Sequence, residues 1–413
     1  MAREMKDSGV EWIGEIPIYW GITSLKHLCK MQAGKTLSSE QIAQEGQYPV
    51  YGGNGIRGFY KEFNNEGLYL LIGRQGALSG NIHKVEGKFW ATEHAVLVCI
   101  CNVCDINFMY YLLMGMNLNQ YASNTAAQPG LAVSTIINVK TCIPPINEQQ
   151  KIAKFLDEKY TELNNVLEKT RASIEEYKKL KQAVITQAVT KGIRGDREMK
   201  DSGIVWIGEI PIEWEVSQVK YSLKWKSDKG QPHEEVLSLY RDYGIVPKDS
   251  RDDNHNVTSL DTSGYKVVDI GDFVINKMKA WQGSMAVSEY KGIISPAYHV
   301  CVFTNGKLNK KYFHYLMRSK SYIPEYTRLS TGMRVGQWDL GFDDFKNIPF
   351  LLPPQEEQQE IVNYLDEKCS AIDELIAKKE QYLSEIENYK KSLIYEYVTG
   401  KKEVSQNYQA SNE

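Results

Sequence analysis

Two short stretches of this 413-residue chain carry residue types at spacings that could do chemistry. Residues 53–58 read Gly-Asn-Gly-Ile-Arg-Gly and satisfy the G-x-G-x-x-G pattern of a dinucleotide-binding turn. That chemistry needs a strand before the pattern and a helix after it, but residues 59–65, Phe-Tyr-Lys-Glu-Phe-Asn-Asn, are not clearly helical. We therefore predict a turn-rich hairpin or loop at this place and no dinucleotide site.

The second stretch is Cys99-x-Cys101-x-x-Cys104, whose thiols could bind zinc. No second ligand pair at a matching spacing is visible, and Cys99 and Cys101 fall on an apolar strand pattern. The pattern favours structural cysteines, and we predict no metal site.

Other patterns of catalytic residues are missing from the sequence. The seven histidines form no H-E-x-x-H cluster, and there is no G-x-x-x-x-G-K-[ST] loop for ATP. The Pro-Pro pairs at 144 and 353 are not the (Asp/Asn)-Pro-Pro-aromatic motif that amino-methylating enzymes use on flipped bases, and we find no nuclease carboxylate cluster. The sequence predicts a protein that is not an enzyme and binds no cofactor itself.

The chain repeats itself. Residues 5–17 read MKDSGVEWIGEIP and residues 199–211 read MKDSGIVWIGEIP, an offset of 194 that also relates Trp20 to Trp214. A second match, at an offset of 209, begins at Pro144-Pro145 and Pro353-Pro354 and continues to Val189 and Val398. The intervening inserts, 21–143 and 215–352, show little similarity. We call the short matching segments at 5–20 and 199–214 the frames. The chain is thus organised as a frame, an insert and a helix, and this order occurs twice.

The segments after the two Pro-Pro pairs have the heptad spacing of coiled-coil helices. Their apolar positions alternate by three and four residues in identical register. We predict that the two helices pair with each other and run antiparallel, since one chain holds both at high effective concentration. A separate homodimeric coiled coil is the alternative. The predicted seam consists of Leu163, Leu167, Ile174, Tyr177, Val184, Ile372, Ile376, Leu383, Ile386 and Leu393.

The inserts have a mixed α/β pattern. Strands are predicted at 68–72, 94–100, 265–269, 272–275 and 298–303, and short helices at 108–116 and 311–318. The predicted fold class is α/β (mixed): two globular α/β domains separated by two long antiparallel helices that form an intramolecular coiled coil, with a pseudo-twofold repeat.

Charge is distributed unevenly although the whole chain carries only -3. Residues 20–143 and 215–352 are net +2 and +3, whereas residues 353–413 are net -6. Basic, amide and aromatic side chains in the inserts could contact phosphates and base edges, although each alone could be an ordinary solvated group. The predicted DNA-binding residues are Arg57, Lys61, Arg74, Gln75, His83 and Lys84 in the first insert, and Lys277, Lys279, Trp281, Gln282, Arg328, Arg334 and Gln337 in the second.

This ordered, duplicated set of motifs resembles the specificity subunit of type I restriction–modification systems over nearly the whole chain. The carriers are the duplicated frame, the Pro-Pro-x-x-Glu-Gln-Gln helix starts, and the helix endings Val189-Thr-Lys-Gly192 and Val398-Thr-Gly-Lys401. Within the inserts, similar stretches are 72–76, 89–93, 125–131, 294–298 and 330–334.

The resemblance implies two target-recognition domains, each of which reads half of a bipartite DNA sequence, and helices that set the spacer. Two methylation subunits would dock along the helices and bring S-adenosylmethionine, while restriction subunits would bring ATP and Mg. The implied domains are 1–145 (first recognition domain with its frame), 146–195 (first spacer helix), 196–354 (second recognition domain), 355–402 (second spacer helix) and 403–413 (disordered tail).

Two other functions remain open from the sequence. One is a specificity subunit attached to a fused methylase–nuclease, and the other is a coiled-coil scaffold that binds only protein. A signal-peptide pattern and an apolar run of about 18 residues are both missing, and seven cysteines fit a reducing compartment. The sequence therefore predicts a cytoplasmic protein with no membrane partner.

Overall fold

The computed structural model describes residues 3–75, 79–122, 130–241, 243–251, 258–259, 261–332 and 338–405. The chain divides into two compact units: unit 1 is Met1–Arg171 with Gln381–Glu413, and unit 2 is Ala172–Glu380. Each long helix therefore contributes residues to both units. The predicted tail at 403–413 lies outside the described residues beyond Ser405.

Unit 1 is built on one six-stranded sheet, with strand order β4-β9-β7-β8-β5-β6, and two small ribbons, β1-β2 and β3-β10. The strands are β1 (Met5–Asp7), β2 (Glu15–Pro17), β3 (Gly21–Ser24), β4 (Cys29–Ala33), β5 (Tyr48–Gly52), β6 (Gly55–Tyr60), β7 (Asn65–Gly73), β8 (Ile82–Ala91), β9 (Ala95–Ile100) and β10 (Lys140–Ile143). Strands β5 and β8 are parallel, and the other pairs are antiparallel. The predicted hairpin at 53–58 and the strands at 68–72 and 94–100 are present.

The helices of unit 1 cover one face of this sheet. They are α1 (Ile106–Gly115), α2 (Val133–Ile136), the first part of α3 (Ile146–Lys191) and the last part of α7 (Gln355–Val398). Asp105 caps α1 by accepting hydrogen bonds from the backbone amides of Asn107 and Phe108. Phe108 and Leu112 of α1 are fully buried in one apolar core with Leu70 of β7 and Leu156 of α3. The core thus joins the insert to the long helix.

Unit 2 has a smaller sheet, with strand order β14-β21-β18-β19, and four ribbons, β11-β12, β13-β22, β15-β16 and β17-β20. The strands are β11 (Met199–Asp201), β12 (Glu209–Pro211), β13 (Glu215–Gln218), β14 (Leu223–Lys226), β15 (Leu237–Tyr240), β16 (Gly244–Pro247), β17 (Lys266–Val268), β18 (Phe273–Asn276), β19 (Met285–Val287), β20 (Gly292–Ile294), β21 (Tyr298–Phe303) and β22 (Pro349–Leu352). The helices are α4 (Lys310–Arg318), α5 (Ile323–Leu329), α6 (Phe342–Phe345) and α7 (Gln355–Val398). The strands predicted at 265–269, 272–275 and 298–303 and the short helix predicted at 311–318 correspond to β17, β18, β21 and α4.

The long helices α3 and α7 run antiparallel within each unit, which confirms the predicted pairing. In unit 1, Lys390 donates a hydrogen bond to Asn164 over 2.6 Å, and Phe155 stacks on Tyr397 with ring centroids 4.5 Å apart. In unit 2, Lys181 forms an ion pair of 2.6 Å with Asp373. The residue numbers on α3 rise as those on α7 fall. All ten predicted seam residues are buried or half-buried.

The polar contacts of the helix pair are themselves repeated. At the offset of 209, Lys181 corresponds to Lys390 and Asn164 corresponds to Asp373. Each lysine thus reaches a short polar side chain on the opposite helix at the same place in its unit. A polar group at a seam position fixes the register of paired helices, because a slip would leave it unpaired.

Each helix start is tied to its own insert by a repeated pair of hydrogen bonds. The buried Gln149 and Gln358 accept from the backbone amides of Asp105 and Asn309, over 2.8 Å and 2.7 Å. Tyr111 and Tyr315 donate to Asp157 and Asp366, over 2.7 Å in both units. Both sets of contacts fix the N-cap and first turns of α1 and α4 against the long helices.

The repeated frames connect the start of one long helix to the end of the other. In unit 1, Arg3 pairs with Glu148 in the first turn of α3, and the indole N–H of Trp20 donates to the same carboxylate over 3.1 Å. Tyr395, near the end of α7, donates to the Ile13 carbonyl oxygen over 3.1 Å. The frame residues therefore act as a clamp at one end of the helix pair.

Unit 2 repeats this clamp with a more deeply buried carboxylate. Arg197 and Trp214 both bind Glu357, and the indole donates over 3.0 Å. The side chain of Glu357 is 1% exposed, whereas that of Glu148 is 18% exposed. Helix α3 ends below this clamp at Gly192, whose φ of +79° is left-handed.

We expect Glu357→Gln to destabilise unit 2 strongly. The substitution removes the buried carboxylate partner of Arg197 and leaves its guanidinium with the exposed Glu213, which lies 2.9 Å away. Breaking a buried pair costs about 3–5 kcal/mol. For a unit of this size, that corresponds to a loss of about 10 °C in Tm. Thermal unfolding followed by circular dichroism measures the change.

The matched control is Glu148→Gln, which removes the same carboxylate from the more exposed clamp of unit 1. Its Tm should fall by clearly less, because the Glu148 carboxylate is partly exposed to water and Arg3 keeps its ion pair with Glu403. Equal losses in the two variants would show that burial does not determine the strength of the clamp.

Candidate nucleic-acid interface

In unit 1, two predicted DNA-binding residues, Arg74 and Gln75, lie directly after the end of β7. The backbone amide of Leu131 donates to the carbonyl oxygen of Arg74 over 2.9 Å, and the Arg74 Nε donates to the Leu131 carbonyl oxygen over 3.2 Å. Gln75 forms an isolated antiparallel bridge with Gly130. The end of β7 is thereby fixed to the residues that follow 123–129, a segment outside the described residues.

The β5-β6 hairpin brings further polar groups to the same place. Its Gly53 lies so close to the Gln75 carbonyl oxygen that an added Cβ would approach to 3.2 Å, and His83 packs against Gly55. Arg57 of the same hairpin donates over 3.4 Å to Ser39, which precedes the hairpin in the sequence. Burial lowers the pKa of His83, so the ring is neutral near pH 7 and can accept or donate a hydrogen bond. Arg57, Arg74, Gln75 and His83 therefore share one region.

The remaining two candidates of the first insert lie elsewhere. Lys84 follows His83 on β8, so its side chain points to the opposite face of the sheet, where it donates to Asn107 of α1. Lys61 is 77% exposed on its side chain and lies 3.7 Å from Glu62. These two are not brought together with the other four.

In unit 2, Lys277 lies at the end of β18, in the position that Arg74 has in unit 1. The backbone amide of Leu340 donates to the Lys277 carbonyl oxygen over 3.0 Å, and the Lys277 ammonium pairs with Asp339 over 3.2 Å. Asp339 also bridges to Thr331. Arg334 and Gln337, predicted to bind DNA, fall in 333–337 and lie outside the described residues.

The other candidates of the second insert surround this strand end. Trp281 packs edge-on against Trp338 with ring centroids 5.2 Å apart, and its carbonyl oxygen accepts from Thr327 of α5 over 3.2 Å. Lys279 is exposed, and Gln282 is half-buried. Arg328 is exposed and pairs with Glu325 over 2.6 Å. Lys277 and Trp281 thus both contact residues that follow 333–337, namely Asp339 and Trp338. Arg328, in contrast, is already paired with Glu325.

The two units therefore present one arrangement on unrelated sequences. In both, a strand of the central sheet ends at a basic residue whose carbonyl accepts from a leucine amide distant in the sequence: Arg74 with Leu131, and Lys277 with Leu340. These pairs are related by offsets of 203 and 209, which differ because the inserts differ in length. Binding groups are commonly carried by segments that a rigid scaffold positions.

A group of residues at this site of unit 2 escaped the sequence analysis. Trp225, His299 and Phe342 form mutual ring contacts, and Lys266 lies over the Trp225 ring. Phe342 lies two residues after Leu340, whose amide binds the Lys277 carbonyl oxygen, so the group adjoins the strand end at Lys277. The sequence does contain one indication of this group. Residues 224–226 read Lys-Trp-Lys, which places a tryptophan between two lysines on a strand.

The cysteines are free thiols, and burial raises the pKa of Cys29 and Cys104 to about 12. Within the described ranges, no group of three or more His, Cys, Asp or Glu side chains is placed to hold a metal ion. Among the helices of the described part of the chain, none is both long and apolar enough to cross a membrane.

Comparison with known proteins agrees with this repeated organisation. The type I restriction enzyme EcoprrI specificity subunit of Escherichia coli is 45% identical over 152 residues, which cover 36% of this chain and 38% of that protein. The MjaVIII specificity subunit of Methanocaldococcus jannaschii is 23% identical over 432 residues, which cover 94% of this chain and 93% of that protein.

A solved structure concerned with complex assembly and conformational transition of the type I R-M system shares the fold. It superposes with a TM-score of 0.66 at 14% identity and covers 93% of this chain and 98% of its own. The family model for the type I restriction modification DNA specificity domain matches residues 17–176 and again 211–388. The chain therefore belongs to the type I restriction modification DNA specificity family and contains two copies of its domain.

Proposed function

We propose that this chain is the DNA specificity subunit of a type I restriction–modification complex. Each insert reads one half of a bipartite DNA sequence, and the chain itself contributes no catalytic group. The observation that carries the proposal is the repeated strand end at Arg74 and Lys277, whose carbonyl oxygens each accept a hydrogen bond from a leucine amide distant in the sequence. The same support in two inserts of unrelated sequence suits two domains that recognise different targets.

The chemistry of these two places fits DNA. Arg74 and Gln75 offer donors and an acceptor for guanine and adenine edges, and the lysines suit phosphates. The net charges of +2 and +3 on residues 20–143 and 215–352 favour a polyanion, although they are modest. Affinity for DNA therefore depends in part on partner subunits that contact the backbone elsewhere.

The paired helices and repeated frames serve the partners. In the proposed complex, two methylation subunits dock along the helices and supply S-adenosylmethionine and the methylating site. Restriction subunits supply ATP-dependent cleavage. Two partner copies are consistent with a clamp that occurs twice, at Trp20 and at Trp214. The helix length then sets the number of base pairs between the two half-sites.

Sequencing of modified DNA tests this function. The chain is expressed with the methylation subunits of its own system in a host that lacks adenine methylation, and the methylated positions are mapped. We expect methylation at one bipartite sequence, and only when the chain is present. The control host expresses the methylation subunits alone.

Two results would count against the proposal. An identical pattern of methylated sites with and without the chain would mean that it does not select the DNA target. Methylation of a single uninterrupted sequence would contradict the assignment of one half-site to each insert. A scaffold that binds only protein predicts the first of these results.

A further inference from the structure

Unit 2 exposes an aromatic platform that the repeated frame does not explain. Trp225 of β14, His299 of β21 and Phe342 of α6 lie with ring centroids 5.9–6.1 Å apart. The Trp225 residue is 49% exposed although it is the largest of the three side chains. The two neighbouring rings restrict the orientation of the Trp225 side chain, and about half of its apolar surface remains exposed to water, which is unfavourable.

A buried lysine lies over the ring of Trp225. Lys266 of β17 is 6% exposed, its Nζ lies 5.6 Å from the centre of the Trp225 ring, and it donates to the Tyr298 carbonyl oxygen. Among the described residues, no carboxylate forms an ion pair with Lys266. A buried ammonium without a counter-charge is costly, so an anion bound next to it would stabilise its charged form.

Neighbouring charges strengthen the positive field at this place. Lys229 pairs with Lys266 in an antiparallel bridge, and Lys277 lies near enough to affect it. Burial first, and then these two cations, lower the pKa of Lys266. Lys277 is itself paired with Asp339, over 3.2 Å. The buried Lys266 therefore lies near the strand end that we propose to contact DNA.

We propose that Trp225 and Lys266 form a contact site for one DNA strand in unit 2. The exposed Lys229 binds a backbone phosphate, the buried Lys266 adds positive charge beside it, and the exposed part of Trp225 packs on the adjoining nucleotide. The inference rests on the proposed function and names residues for it. Phosphate contacts fix the orientation of a protein on a duplex, so this site positions the strand end at Lys277.

Unit 1 has no such platform at the corresponding position. Strands β4 and β14 both pair with the strand that precedes the insert helix, and the offset of 194 places Met31 where Trp225 lies. Val96 of β9 has the place of His299. The contact is therefore peculiar to the second half-site.

The test uses the methylation complex assembled with the full chain and a duplex that carries the mapped target. Binding is measured over a range of salt concentrations for the wild type, Lys266→Gln, Lys266→Arg, Trp225→Ala and Lys224→Gln. Lys224 is the matched control, because it is exposed on the same strand and points away from the Trp225 face. Thermal unfolding of each variant reports any loss of structure separately.

We expect Lys266→Gln to reduce the slope of log K against log salt by about one, and Lys266→Arg to keep it. Trp225→Ala should weaken binding by about tenfold with little change of slope, since stacking is not ionic. A structural defect alone would lower the Tm without a change of slope. The inference is wrong if Lys266→Gln keeps the wild-type slope, or if Lys224→Gln lowers it equally.

Failure of the proposed function gives a different result in the same experiment. In that case the wild-type complex itself does not prefer the mapped duplex to an unrelated one, and both the proposed function and the proposed contact site are wrong. Selective binding by the wild type with unaltered binding by every variant overturns only the contact site.

Discussion

Replacement of residues 21–143 by the corresponding insert of another family member is expected to change one half of the methylated sequence completely and to leave the other half intact. The cut points flank the β3-β10 ribbon, in which Lys140–Ile143 pairs with Gly21–Ser24. Both strands are therefore exchanged together. The clamp formed by Trp20 and Glu148 lies outside the exchanged segment and keeps its hydrogen bond.

The reciprocal exchange of residues 215–352 is the control. It also removes a complete ribbon, β13-β22, and should alter only the other half-site. Each donor insert must bring a capping residue like Asp105 or Asn309, whose amide binds the buried glutamine of the long helix. Methylated sites are mapped as for the wild type. If either exchange alters both halves, or neither half, the two inserts do not read DNA independently.

The repeated parts of the fold could be predicted because their sequence repeats carry physical constraints. A heptad pattern specifies which face of a helix is buried, and two copies in one chain supply the partner. The antiparallel direction, the helix ends at Gly192 and Gly400 and the strands of the inserts agree with those predictions. The clamp of Arg197 on Glu357 was not predicted, because nothing in the local sequence couples residues 160 positions apart.

The candidate site was only partly predictable for a similar reason. Arg74 and Lys277 were both selected for their charge, but their equivalence depends on a shared backbone hydrogen bond that no sequence similarity reveals. Lys84 was selected with His83, although strand alternation places the two on opposite faces. Trp225, Lys266 and His299 come from three different strands, so only the folded chain brings them together.

Near-neutral total charge did not exclude DNA as the partner, and the structure suggests why. The buried cation Lys266 and the basic strand ends act locally, whereas the acidic residues of 353–413 lie largely on α7. Salt screens charges separated by more than about 10 Å, so the sign of the nearest few groups matters more than the sum. Such a charge distribution suits a DNA-recognition subunit whose affinity for DNA is increased by its partner subunits.

Insertion of seven residues into both long helices is expected to lengthen the recognised spacer by about three base pairs. One heptad keeps the apolar seam in phase and adds about 10 Å to a helix. Successive base pairs are 3.4 Å apart along B-DNA. Insertion after Arg171 and after Glu380 leaves the contact of Arg171 with Glu387 and that of Lys181 with Asp373 unchanged. The two half-site sequences should be the same as before.

Single insertions provide the control for this experiment. If a heptad is added to α3 alone, α3 becomes seven residues longer than its partner α7. The helix pair must then either bulge or shift its register. Slippage separates Lys390 from Asn164 or Lys181 from Asp373, and both lysines have limited exposure. We therefore expect each single insertion to abolish methylation, whereas the double insertion restores it at the longer spacer. Seven extra residues on both helices must move the two ends of the helix pair further apart. Methylation by the double variant at the original spacer would therefore show that the helices do not set the distance between the half-sites.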